Sequence, residues 1–171
     1  MYSPRSLRHL LVRPAALLAV VAYAVAAGGT SVAAQQIENA ERLAGLERVD
    51  TRVEAQWDEA IVVEAGGGTA DQFLQALAMT FEETIASADA APTVVEGSPT
   101  TVTCHVDTFY ETGQIVYSLR TQVEQVGADG QPVITWIKSW VGYFTVQQLH
   151  VMFTLGEQCA NSFLEDWKSA N

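Results

Sequence analysis

The chain has 171 residues, with nine lysines and arginines against twenty acidic residues, a formal net charge of −11. That length is enough for one domain with a real core. So acidic a balance repels polyanions, which sets aside nucleic acid and anionic lipid surfaces as partners.

The first 34 residues read as a secretory signal. Arg5, Arg8 and Arg13 form a positive head, and Pro14 to Ala27 is almost wholly Ala, Leu and Val. Val32-Ala33-Ala34 then supplies the small-x-small exit that signal peptidase reads. The 21 uncharged residues from Pro14 to Ala34 also match the ~20 that cross a bilayer. An uncleaved signal-anchor is therefore the alternative, although Gly28-Gly29-Thr30-Ser31 makes the second half a poor spanning helix. No cysteine stands at the exit, which excludes a bacterial lipid anchor at that position. Residues 35–171 hold all twenty acids and six of the basic residues, a net charge of −14. These acids are scattered, as on a solvated surface; a salt-rich milieu or a basic partner also fits.

Residues 35–47 form a polar lead-in, expected to be helical from Gln36 to Leu46, and 48–171 a single domain. In "RVDTRVEAQW" the residues Val49, Val53, Ala55 and Trp57 alternate with Asp50, Arg52, Glu54 and Gln56, the pattern of a half-buried strand. After Gly66-Gly67-Gly68, Thr69 and Gln72 stand at capping-box spacing. Phe73, Leu74, Leu77, Ala78, Phe81 and Ile85 then make one apolar helical stripe. Prolines and a glycine in "ADAAPTVVEGSPTT" end that helix.

A three-strand meander follows. Its first strand puts Val102, Cys104 and Val106 on one face and Thr103, His105 and Asp107 on the other. The second aligns Ile115, Tyr117, Leu119 and Val123. "GADGQP" turns the chain into the third, "ITWIKSWVGYF". Thr145 and Gln148 repeat the capping-box spacing. Leu149, Met152, Phe153, Gly156, Cys159, Ala160, Phe163, Leu164 and Trp167 then form a continuous stripe of one closing helix. The layout is α+β, in the order β-α-β-β-β-α, with two long helices on one face of a four-stranded sheet.

The only two cysteines are Cys104 and Cys159. An even count in an exported chain predicts one disulfide. Cys104 lies on its strand's apolar face and Cys159 inside the helical stripe, so a helix across the sheet brings them together. The long loop so closed is worth roughly 4 kcal/mol in the chain-entropy model.

The chemistry in the chain is sparse. Cys104 and His105 point to opposite faces of a strand, so they cannot pair as nucleophile and base. The three glycines precede a helix start that can cradle phosphate, but no Walker lysine or GxGxxG spacing accompanies them; a flexible loop is the plainer account. His105, with Asp107 two residues on, needs a further ligand to hold a metal, and His150 has no partner at ligand spacing. No GxSxG element is present, and no carboxylate pair stands out for hydrolysis. These observations predict a non-enzyme with no cofactor and no metal. A hydrolase whose acids converge only in three dimensions remains the third reading.

The third meander strand carries the ambiguity. Alternation places Ile134, Trp136, Lys138, Trp140, Gly142 and Phe144 on one face, and Val133, Ile137, Val141 and Tyr143 on the other. If the second set meets the helices, Trp136, Lys138 and Trp140 form an exposed contact site for a partner, since Trp concentrates binding energy. If the first set does, the indoles build the core.

"ADQFLQALAMTFEETIASA" after a strand, with "YETGQIVYSLRTQVEQVGADGQPVITW" as a paired-strand unit, resembles small periplasmic α+β domains of the CsgG-like and TolB amino-terminal types. That resemblance implies an envelope setting and a scaffolding or binding role. It transfers no catalytic residue, and the lipidated cysteine of the envelope lipoproteins in these groups has no counterpart here. The expected function is thus protein–protein interaction, in the periplasm or outside the cell, as an accessory subunit of an envelope or membrane assembly. Membrane contact comes only through an uncleaved leader. The alternative is a carrier of a small lipid or metabolite in a pocket between sheet and helices; Gly156 leaves room for one, although close helix–sheet packing accounts for it equally well.

Overall fold

The computed structural model describes residues 32–37, 39–64 and 69–171. Most of the leader and the three consecutive glycines lie outside these. The strands are β1 (Val32–Ile37), β2 (Arg48–Gln56), β3 (Thr93–Val94), β4 (Thr100–Glu111), β5 (Gln114–Val126) and β6 (Pro132–Thr145). The α-helices are α1 (Glu59–Glu64), α2 (Ala70–Ser87) and α3 (Leu155–Ala170), with 3-10 turns at Ala40–Leu43 and Val146–Thr154.

The fold is α+β around one mixed sheet, ordered β1-β6-β5-β4-β2-β3. β2 runs parallel to β4, joined through α1 and α2; β4, β5 and β6 form an antiparallel meander, and β1 pairs antiparallel with β6. The four expected strands are all present. The expected four-stranded sheet is nevertheless too small, because β1 and the two-residue β3 extend its edges. The lead-in is a correction of the same kind. It is strand through Ile37 and then a short 3-10 turn, not a helix. Its backbone finds partners on the free edge of β6, with Ala33 opposite Trp140. β1 includes Val32, Ala33 and Ala34, the residues of the exit motif.

Local chemistry explains the elements. Thr69 and Gln72 close the expected capping box at the start of α2: Gln72 N–H donates to Thr69 Oγ1 and Thr69 N–H to Gln72 Oε1. The α2 residues Phe73, Leu77, Phe81 and Ile85, spaced by four, are all buried. Thr112 and Gly113 both have positive φ between the paired Glu111 and Gln114. That combination makes a two-residue hairpin whose twist matches the strands.

The closing helix departs from its expected form. Nine residues wind as a 3-10 segment, with non-helical angles at Gln148, before α3 begins. Three residues per turn stack i on i+3. Leu149 and Met152 therefore pack toward the core, while Phe153 is rotated outward and keeps a ring contact with Phe73 at 5.5 Å.

The core lies between one sheet face and the layer of α2 and α3. Val102, Cys104, Val106, Leu119 and Val123 meet Phe81, Ile85, Leu155, Phe163 and Leu164 there. Cys104 and Cys159 form the expected disulfide, with Cα atoms 5.8 Å apart. Such bonds persist in oxidising compartments. Among the described residues no helix is long and apolar enough to cross a membrane.

Candidate functional site

Trp136 and Trp140 belong to the core side of β6. Trp136 is 1% exposed and stacks edge-on against Phe163 of α3. Trp140 is half-buried against the same core. Phe144, on the same face, is buried as well. Of the two arrangements the sequence allows, the structure has the inward one, with Trp136 in the core and Lys138 and Trp140 half-buried at its edge.

Alternation left this open because both faces of the strand carry apolar residues, and a bulge further limits how far it holds. Val123 pairs with Trp136 but Glu124 with Ile134, so β6 carries one extra residue at Thr135. The parity of the strand changes there. Ile134, expected beside Trp136, is exposed. Asp166 of α3 settles the polar atoms: Trp136 Nε1–H donates to Oδ2 and the Lys138 ammonium to Oδ1, each at 3.1 Å. Glu165 adds a weaker contact to Lys138 at 3.7 Å. Asp166 sits on the polar flank of the α3 stripe, one residue from Trp167, and no sequence signal tied it to β6.

Close packing also answers for two glycines. Gly142 lies opposite Tyr117 in the β5–β6 register, and the Tyr117 ring occupies the space a Cβ would need. Gly156 meets α2 directly, with Thr80 Oγ1 and the Leu77 carbonyl where its Cβ would stand. The room expected at Gly156 is filled by the neighbouring helix.

The opposite sheet face carries no helix among the described residues. Cross-strand register arranges it in rows: Phe109–Val116–Tyr143, then Asp107–Ser118–Val141, then His105–Arg120–Ser139. The first row is apolar and open, with Phe109 68% and Tyr143 44% exposed. Val116 and Val141 are exposed beside them. On its own strand, Phe109 stands between the exposed carboxylates of Asp107 and Glu111.

Further along, the face turns polar and closes. His105 Nδ1 lies 3.2 Å from Glu54 Oε2. Burial, and next the Arg120 guanidinium, hold the imidazole below the usual histidine range despite Glu54, Asp107 and Glu124. The ring is neutral near pH 7, so the contact is an N–H donated to a carboxylate rather than an ion pair. His105 Nε2, Thr103 Oγ1 and Trp57 Nε1 are buried with no hydrogen-bond partner among the described residues. Cys104, on the core face, is committed to the disulfide. His150 is exposed on the 3-10 segment. No cluster of three or more His, Cys, Asp or Glu among the described residues could hold a metal ion.

Where β2 ends, a cavity of about 450 Å³ opens beside Phe109, lined also by Trp57, Asp58, Asp107 and Ser118. Asp58 is fixed from three sides. Its N–H donates to Thr108 Oγ1, its Oδ1 accepts from Ala60 N–H at 3.0 Å and its Oδ2 from Tyr110 N–H at 3.0 Å. The Tyr110 and Ala60 amides hold its carboxyl below the usual carboxylate range. Thr108 in turn donates to the Gln56 carbonyl, tying the end of β2 to β4. Alternation flagged neither this cavity nor Asp58, because the residues converge from two strand ends and a following loop.

No family model and no curated protein matches the chain. Among solved structures, it is similar to one titled an uncharacterized protein, at 16% identity and TM-score 0.44, over 70% of this chain and 92% of that one. It is also similar to the PelC dodecamer from Paraburkholderia phytofirmans, at 16% identity and TM-score 0.45, over 82% of this chain and 97% of that one. Neither likeness bears on the CsgG-like or TolB amino-terminal resemblance, and likenesses at this level carry no functional assignment.

Proposed function

We propose that this chain is an exported, non-catalytic domain that binds another protein through the uncovered face of its sheet. In this reading it is an accessory subunit of an envelope or membrane assembly. One observation carries it: the apolar residues Phe109, Val116 and Val141 are exposed on one face while helices cover the other. Contiguous exposed apolar surface bordered by polar residues is the mark of an interaction site. The partner surface is apolar at its centre and basic at its rim. Asp107 and Glu111 flank Phe109, and residues 35–171 carry a net charge of −14, so a second copy would meet like charge.

The export reading rests on the charged head, apolar run and small-residue exit of the leader, together with the disulfide. The layout resemblance to CsgG-like and TolB amino-terminal domains points to the same setting. The carrier alternative draws no support from Gly156, which packs against α2.

A photo-crosslinking amino acid at position 109, compared with one at the exposed Met79 of α2, tests this in native envelopes. The expected result is one discrete protein adduct at 109, absent at 79, and lost when Asp107→Lys and Glu111→Lys are combined. Adducts that are the same at both positions, or an adduct with a second copy of the chain, would overturn the proposal.

A further inference from the structure

The cavity at the end of β2 has a chemistry of its own. We infer that it binds an alkylammonium group, as the head of a small organic amine or of a lysine side chain. Four features of the cavity point to this occupant.

Its volume, about 450 Å³, falls among pockets that enclose small ligands, ~300–1,000 Å³. Its charged lining is of one sign, with Asp58 and Asp107 and no basic residue. Both Asp58 oxygens accept backbone N–H bonds, so that carboxylate is held ionised and its orientation is fixed before any ligand arrives. Two aromatic rings complete the wall. Trp57 is braced on Phe73, with ring centroids 5.5 Å apart, and Phe109 stands open to solvent. A cation over an aromatic face is attracted by the ring quadrupole, and nearby carboxylates add to that attraction.

Other ligand classes fit less well. An anion meets two carboxylates with no opposing charge. A neutral ligand of the same shape gains the rings but leaves the negative field uncompensated. The hydrogen bonds from Asp58 N–H to Thr108 and from Thr108 to Gln56 hold this end of the sheet in place, so little ordering accompanies binding.

The test is a titration of the purified protein with n-butylammonium chloride, followed through the Trp57 indole N–H and the Ser118 amide by NMR at fixed ionic strength. The expected outcome is saturable shifts at both groups, with none from n-butanol at equal concentration. Asp107→Asn should weaken binding about tenfold, the scale of one lost charge contact, while Asn in place of the remote Asp129 leaves it unchanged. Equal responses to amine and alcohol overturn the inference, as do shifts that never saturate or an Asp107→Asn protein that binds normally. Phe109→Leu, which keeps the volume and removes the ring, supplies a second variant if Asp107→Asn folds poorly; undiminished binding there counts against the site. Acetyl-Gly-Lys-Gly-amide distinguishes the two sources: tighter binding than the free amine assigns the pocket to a lysine side chain, and weaker binding to a small amine. The cavity shares Phe109 and Asp107 with the partner face, so a variant outside it separates the two readings. Val116→Asn should remove crosslinking at the sheet face and leave amine affinity within about twofold, since it adds no charge.

Discussion

The two faces of the sheet use aromatic residues in opposite ways. On the helix side, Trp136 is enclosed by α3 and its indole N–H has a carboxylate acceptor. On the other side, Phe109 stands 68% exposed between two acids. Both are large rings on central strands of one sheet, so ring size and strand position do not decide their fate. What differs is the layer opposite. α2 and α3 complete the first face with apolar stripes, and among the described residues nothing of that kind lies against the second. A buried ring thus belongs to stability, and an open one is available for recognition.

Predictions that probe the covered face carry the largest effects. Replacing Cys104 and Cys159 by serine releases a loop closed across 55 residues. The chain-entropy model assigns about 4 kcal/mol to such a bridge. Urea unfolding of the double variant should show an unfolding free energy lower by that amount, and a value within error of the parent would contradict the prediction. Asp166→Ala comes next. It leaves the Lys138 ammonium and the Trp136 N–H without their shared acceptor, and a buried group so orphaned costs roughly 3 kcal/mol or more. Both side chains of the ion pair keep about a fifth of their surface in water (20% and 23%), so screening reduces the expected loss to about 2 kcal/mol. Asp166→Asn, which retains an acceptor for the indole, should recover part of it.

Asp166 also marks where sequence reading stopped. Alternation placed Val102, Cys104, Val106, Ile115, Tyr117, Leu119 and Val123 on the core face, and all are buried. A period of two survives wherever a strand is regular. On β6 it misplaced only Ile134, because the extra residue at Thr135 changes the parity there and nothing in "ITWIKSW" announces a bulge; which face meets the helices stayed open because both carry apolar residues. The disulfide was legible because both cysteines stood on apolar faces that the layered packing brings together. The Asp58 cavity was not, since Trp57, Asp58, Asp107 and Phe109 come from segments 50 residues apart along the chain, as the Asp58–Thr108 bond shows. Convergence of that kind has no one-dimensional pattern.

The polar end of the uncovered face should respond to pH. The His105 imidazole titrates below its usual range because burial, and then Arg120, disfavour the charged form. The unfolded chain therefore takes up that proton first, at about pH 6.5. Stability from His105 is complete above that value and is lost as pH falls toward the lowered folded value. Comparing urea midpoints at pH 7.5 and 5.5, His105→Gln should show a smaller drop than the parent. An equal drop would place the sensitivity elsewhere.

The smallest change in stability is expected at the residue on which the functional reading depends most. Phe109 is largely in solvent already, so Phe109→Ser removes little buried apolar area. Substitutions at such sites stay within about 0.5 kcal/mol. Partner crosslinking from the neighbouring Tyr143 position should nevertheless disappear. A variant that folds as well as the parent yet loses its adduct separates recognition from stability, which no change at Trp136 can do. If Phe109→Ser instead lowers the midpoint as much as Asp166→Ala, the ring is holding the sheet together. The uncovered face would then be part of the core architecture, and the contrast between the two faces would fail.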